Sequence, residues 1–159
     1  MNYFFTGGTK KINVTQRSAS ASGTKVYDGT KNAPAANLAV TGLVDGEDLS
    51  LTGTGTIDSA DVGDDKAITG GNLTLADGTT GKAMNYFFTG GTKKINVTKH
   101  SASASGTRVY DGTNNAAYTD LVVTGLVDGE DLSLTGTGTV VSADVGDDKA
   151  ITGGNLTLA

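Results

Sequence analysis

The stretch DLSLTGTGT, residues 48–56, decides the reading of the fold: Leu49 and Leu51 alternate with Ser50, Thr52, Thr54 and Thr56. Alternation with a period of two puts the leucines on one face of a strand and the hydroxyls on the other. That is the pattern of an antiparallel sheet covered on one side only. The same nine residues return at 131–139. Working outward, KINVT (11–15) pairs Ile12 with Val14, NLAVTGL (37–43) pairs Leu38 with Val40, and NLTLA (72–76) pairs Leu73 with Leu75. Turn residues punctuate these runs: TGG at 6–8, DG at 28–29, 45–46 and 77–78, and GDD at 63–65. NYFFTGGTKKINVT, at 2–15 and again at 85–98, reads as a hairpin around a short glycine turn. No ten-residue window carries the three-and-four apolar spacing of a helix. The expected fold is all-β: two tandem small antiparallel β-sandwich domains in an elongated arrangement.

The chain repeats itself. MNYFFTGGTKKINVT occupies 1–15 and 84–98, an offset of 83, and the register then holds without a gap to Ala159. Of 76 aligned pairs, 65 are identical, which makes the copies two instances of one fold. The differences gather at 31–39 against 114–122, and at Ile57 and Asp58 against Val140 and Val141, as tolerant loops or strand ends would. A unit of this length far exceeds one coil of a solenoid, so each copy can hold its own core.

Composition narrows the function classes. With 24 Gly, one Pro, no Trp and no Cys, only 36% of the residues are hydrophobic, and these are mostly the β-branched, aromatic and leucine residues of strands. A net charge of −5 argues against nucleic acid and against anionic membrane as partners. Lys10, Lys11, Arg17 and Lys25 gather near the start of the first copy and read as solvated surface. The absence of cysteine excludes disulfides and thiolate metal sites. No apolar run approaches the ~18 residues of a membrane span, and no signal-peptide pattern is present, so an exported parent protein would carry its targeting segment outside this sequence.

KVYDGT at 25–30 returns as RVYDGT at 108–113. Valine and tyrosine can end a strand and Asp-Gly can supply a tight turn, so the motif reads as a turn, with Tyr27 and Tyr110 packed over the end of each core. Catalysis finds no support. The one histidine, His100, has Arg17 as its counterpart, the serines of SASAS have no base nearby, and TGTGT lacks the lysine and helix of a phosphate loop. The expectation is therefore a protein that is not an enzyme and needs no cofactor, with one candidate exception. The acids of DGED and DVGDD (Asp45, Glu47, Asp48, Asp61, Asp64, Asp65) and their copies (Asp128, Glu130, Asp131, Asp144, Asp147, Asp148) could offer oxygen ligands to Ca²⁺. Their spacing fits neither an EF-hand nor a calcium-binding β-roll, and hairpin loops use the same residue types. Thr52, Thr54 and Thr56 could form a flat row of hydroxyls for glycan or ice. Asn13, Asn72, Asn96 and Asn155 fit the Asn-x-Thr acceptor pattern.

In order and spacing, SASASGTKVYDGT, VTGLVDGEDLSLTGTGT, SADVGDDKAITGGNLTL and NYFFTGGTKKINVT resemble the YDG repeat domain and its MBG-type relatives. These occur in tandem in large secreted bacterial adhesins of the filamentous-haemagglutinin kind. The matching positions are Tyr27 to Thr30, Asp45 to Leu49, Ala60 to Gly63 with Lys66, and Asn85 with Tyr86. The resemblance implies a β-sandwich stalk module, exported to the bacterial cell surface, whose partners are neighbouring identical repeats. It carries no catalytic residues. A ligand-binding adhesin module for glycan, ice or Ca²⁺ is the alternative. In the family frame residues 1–15 are the closing hairpin of a preceding repeat, 16–98 a complete repeat, and 99–159 a second repeat without its closing hairpin. The alternative frame is 1–76 and 84–159 joined by a linker, 77–83. An open edge at 99–159 invites head-to-tail self-association, with residues 1–15 of one molecule completing the next.

Overall fold

The computed structural model describes residues 2–4, 6–8 and 10–159, and the chain divides into two compact units, 1–99 and 100–159. Both are all-β, and the only helical turns among the described residues are three single 3₁₀ turns.

In the first unit the strands are β1 (Arg17–Val26), β2 (Asn32–Pro34), β3 (Leu38–Thr41), β4 (Leu49–Thr52), β5 (Thr54–Thr56), β6 (Gly63–Ala67), β7 (Gly70–Gly71), β8 (Thr74–Asp77) and β9 (Tyr86–Thr98). A four-stranded sheet runs in the order β3-β1-β9-β6, opposed by the smaller groups β2-β5-β7 and β4-β8. Ala33, Ile57, Ile68, Leu73, Ile95 and Val97 form the core, with Tyr27, Ala35, Leu38 and Leu51 packed against it. The alternation in β4 is realised: Leu49 and Leu51 lie partly buried while Ser50 and Thr52 face solvent. Every strand pair is antiparallel except β1 with β9, which run parallel.

That parallel pair corrects the hairpin reading of NYFFTGGTKKINVT. Tyr86–Phe88 align with Arg17–Ala19, and Lys93–Thr98 continue in the same direction along Ala21–Val26. The glycines thus form a bulge that lets β9 step past Ser20, with the Thr92 hydroxyl donating to Thr89 O at 2.8 Å. An isolated two-stranded hairpin is marginal in water. Lying between β1 and β6 instead, β9 satisfies its backbone on both sides and buries Ile95 and Val97. Of the hairpin expected at 2–15, Phe5 and Thr9 lie outside the described residues, as does Met1. The described residues there form no strand and are exposed.

A second correction concerns DLSLTGTGT. Gly53, at φ +84°, turns the chain between β4 and β5, so Thr52 and Thr54 do not share one strand. Asn72 stabilises the bend, its Oδ1 accepting the Thr54 N–H at 2.8 Å. The row of hydroxyls expected for a flat binding face is therefore broken in the middle.

The second unit has β10 (Ser103–Gly106), β11 (Asn115–Ala117), β12 (Leu121–Thr124), β13 (Leu134–Thr135), β14 (Thr137–Val140), β15 (Ile151–Gly154) and β16 (Thr157–Leu158). They pair as β10-β12, β11-β14-β15 and β13-β16. Ala116, Leu134 and Val140 are its buried apolar residues. β10 is shorter than β1, and residues 146–150, the counterpart of β6, form no strand.

Candidate functional site

The inner face of β1 reads Ala19, Ala21, Gly23, Lys25 by strict alternation, so the lysine points where an apolar residue would be expected. Lys25 is only 4% exposed, which corrects its reading as solvated surface. A buried ammonium must find a full set of acceptors. Its Nζ donates to Asp28 Oδ1 at 2.6 Å, to Thr30 O at 3.1 Å, to Thr30 Oγ1 at 3.2 Å and to Asn32 O at 3.0 Å. Asp28 Oδ1 also accepts the Thr30 N–H and the Thr30 hydroxyl, both at 2.9 Å, around Gly29 at φ +72°. KVYDGT is thus a turn wound about a cation. Burial alone pushes the Asp28 carboxyl up, but hydrogen bonds from Lys25 and Thr30 outweigh it and hold it below its ordinary value. Tyr27 packs against the core, as expected of it.

RVYDGT repeats the device with a different cation. Arg108 Nη1 donates to Asp111 Oδ1 at 2.5 Å, and Nη2 donates to Thr113 O. The Thr113 N–H, then Arg108, draw the Asp111 carboxyl down to about 2. Tyr110, unlike Tyr27, is exposed.

Of the acids proposed for Ca²⁺, Asp48 has the most specific task. Its carboxylate accepts the Thr80 hydroxyl at 2.6 Å, the Thr80 N–H at 2.7 Å and the Thr79 N–H at 2.9 Å. The Thr80 hydroxyl hydrogen bond is the largest influence, and together these bonds hold the Asp48 carboxyl far below its ordinary value. Segment 77–83 is therefore a loop clamped onto 46–48. Asp77 closes it from the other side, lowered first by the Ala83 N–H and then by Lys82. Glu47 accepts the hydroxyl of buried Tyr86, which itself accepts the Val44 N–H at 2.9 Å. The bond to Glu47 raises the phenol above its ordinary value, keeping it a donor.

Asp61 and Asp144 accept the hydroxyls of Ser59 and Ser142 two residues back. Asp65 and Asp148 adopt φ +52° and +50°, and the Asp65 N–H donates to Asn96 Oδ1 at 2.8 Å. Asp45, Asp128, Glu130, Asp131 and Asp147 are exposed residues outside the strands, and Asp64 is exposed within β6. Among the described residues no three of His, Cys, Asp and Glu come together in a way that could hold a metal ion.

Comparison with known protein families matches the YDG domain twice, over residues 9–93 and 91–159. The chain belongs to the YDG domain family. No curated protein and no solved structure matches it. In the YDG units the Tyr-Asp-Gly-Thr motif serves the turn that encloses the cation at Lys25 or Arg108. Asp28 is legible as a turn residue from KVYDGT alone, whereas the tasks of Lys25, Thr80 and Tyr86 depend on the hidden face of a strand or on partners in other segments.

Asp28, Asp48, Asp77 and Asp111 all sit lower in the folded chain than the 3.8 of a free aspartate. A depressed folded value gives stability that is complete above the unfolded pKa and is lost as pH falls through the folded one. The melting temperature should therefore be level from pH 7 to 5 and drop progressively below about pH 4. Asp48→Asn should lower it at neutral pH and weaken the acid dependence. Circular dichroism melts across a pH series measure both.

Proposed function

We propose that the chain is a non-catalytic spacer of a bacterial surface adhesin, exported to hold an adhesive region away from the cell. The observation that carries this reading is the employment of its best-placed polar side chains. Lys25, Asp28, Asp48, Asp77 and Tyr86 each spend their hydrogen bonds on turns of their own unit. The two consecutive YDG matches add that such units stand in tandem. Head-to-tail association of chains would extend the same spacer beyond a single molecule.

Scattering from recombinant arrays of increasing repeat number should show the maximum dimension growing by a constant step per repeat. The melting temperature should be the same in Ca²⁺ and in chelator. A rise in melting temperature with Ca²⁺ would favour the ligand-binding alternative instead, since a ligand that prefers the folded state stabilises it.

A further inference from the structure

Asp-Gly pairs occur at 28–29, 45–46, 77–78, 111–112 and 128–129. An aspartate followed by glycine can cyclise, because no side chain shields the glycine nitrogen from the neighbouring carboxyl and the backbone rotates freely there. In an unfolded chain these pairs should react alike. The fold separates them into two groups.

Three pairs are held. Asp28 Oδ1 accepts hydrogen bonds from Lys25 Nζ and from the Thr30 N–H and hydroxyl. Asp111 Oδ1 accepts them from Arg108 and from the Thr113 N–H and hydroxyl. Asp77 uses both oxygens, one for the Ala83 N–H at 2.9 Å and one for Lys82 at 3.1 Å, and the Gly78 N–H donates to Gly81 O at 3.1 Å. The same contacts favour the ionised form of all three carboxyls, whose oxygen is a poor leaving group.

The other two pairs are open. Asp45 is exposed in the turn that the Glu47 N–H closes onto Val44 O at 3.0 Å, with Gly46 at φ +80°. Among the described residues its carboxylate has no hydrogen-bond donor and the Gly46 N–H has no acceptor. Nothing lies within 4 Å of the place where a Cβ on Gly46 would stand. Asp128 and Gly129 repeat the arrangement, with the Glu130 N–H on Val127 O at 3.0 Å, Gly129 at φ +85° and the same open space beside it.

We propose that Asp45–Gly46 and Asp128–Gly129 are sites of spontaneous isomerisation to isoaspartate. The glycine nitrogen attacks Cγ of the aspartate, a C–N bond forms, and the hydroxyl of the carboxyl departs with the amide proton as water. Water then opens the succinimide ring at either carbonyl. Opening on one side restores aspartate. Opening on the other leaves the chain running through the side-chain carbons, one methylene longer, with no net gain or loss of atoms. In unit 1 the added methylene falls between two anchors, the Val44 N–H on Tyr86 Oη at 2.9 Å and Gly46 O, which accepts the Thr80 hydroxyl at 3.0 Å. Both loosen, and with them the clamp of 77–83 on 46–48. The turn records the age of the chain.

Incubation of the full chain at body temperature and mildly acidic pH, followed by proteolysis and electron-transfer fragmentation, locates each isoaspartate by cleavage at its main-chain Cα–Cβ bond. The product should accumulate at 45 and 128 about tenfold or more faster than at 28, 77 and 111, where bonds to a charged group must break first. In urea the rates should converge. Asp45→Glu, whose larger ring closes far more slowly, should lack the product at 45 and keep it at 128. Calorimetry of the aged chain should show the transition of unit 1 lowered by about 4–8 °C, and the aged Asp45→Glu chain should keep it in place. An unchanged transition in the aged chain overturns the loosening. Equal rates at all the pairs in the folded chain overturn the assignment, as does product at 28, 77 or 111 ahead of 45 and 128. A folded chain that forms none at 45 and 128 while the unfolded chain does overturns it as well.

Discussion

Lys25→Met lowers the melting temperature of the first unit by on the order of 15 °C, while Lys25→Arg leaves it close to the original. Methionine matches the length of the lysine stem, so the loss isolates the ammonium. Removing it strips donors from Thr30 O, Asn32 O and the Thr30 hydroxyl, and leaves Asp28 without its ion pair. Breaking a fully buried pair costs about 3–5 kcal/mol. Asp28 is half exposed and recovers some hydration, and methionine no longer bears the desolvation of a charge, so about 2–4 kcal/mol is the expected net. In a domain of this size each kcal/mol moves the midpoint by about 4–8 °C. Arginine succeeds because the second unit already uses it: Arg108 reaches the aspartate and threonine of its own turn. Calorimetry of the full chain distinguishes the variants. Equal loss for Met and Arg would place the stabilisation in lysine-specific packing rather than in the enclosed positive charge.

Ile95→Ala and Ile12→Ala are the same chemical change in the same local sequence, with opposite expected results. Ile95 is buried in the core of unit 1, so truncation costs about 2–5 kcal/mol from lost transfer energy and the cavity left behind. That is a large share of the roughly 5–15 kcal/mol that holds a domain together. Ile12 is exposed, and its truncation should fall within about 0.5 kcal/mol for the folding of unit 1. Hydrogen exchange of peptides from 17–26 in urea reports on that unit alone, because those amides pair with β9. Comparable destabilisation by both changes would mean that 1–15 shares the core of unit 1.

Much of the fold was legible because alternation is a local signal. Leu49 and Leu51, Ile95 and Val97, and the Asp-Gly turns each declare themselves within a few residues. What was not legible depended on distant partners. Gly90 and Gly91 look like a hairpin turn until β1, some seventy positions earlier, is known to accept both flanks of β9 in one direction. Gly53 is indistinguishable by composition from any other glycine in a threonine-rich strand, and its bend is fixed by Asn72 across the sheet. Lys25 was misread because a charged residue is ordinarily assigned to the surface. The clue lay in the alternation of Ala19, Ala21 and Gly23, which already points residue 25 inward, and in an aspartate and a threonine close enough to receive it. The acids of DGED lie outside the strands, whereas Asp64 and Asp65, read as part of a turn, fall within β6, whose partner β9 lies some thirty residues further on. That Asp48 fastens a second loop through Thr79 and Thr80 could not be read from 45–48 alone.

The parallel seam between β1 and β9 has a temporal side. A polypeptide emerging amino end first from a ribosome delivers β9, an inner strand of this sheet, last. Until it arrives β1 lacks its neighbour on one side and the core of the first unit lacks Ile95 and Val97. With several near-copies threading in succession, a late strand meets more than one waiting slot, and fidelity of assembly becomes a race between the nearest vacancy and its look-alikes.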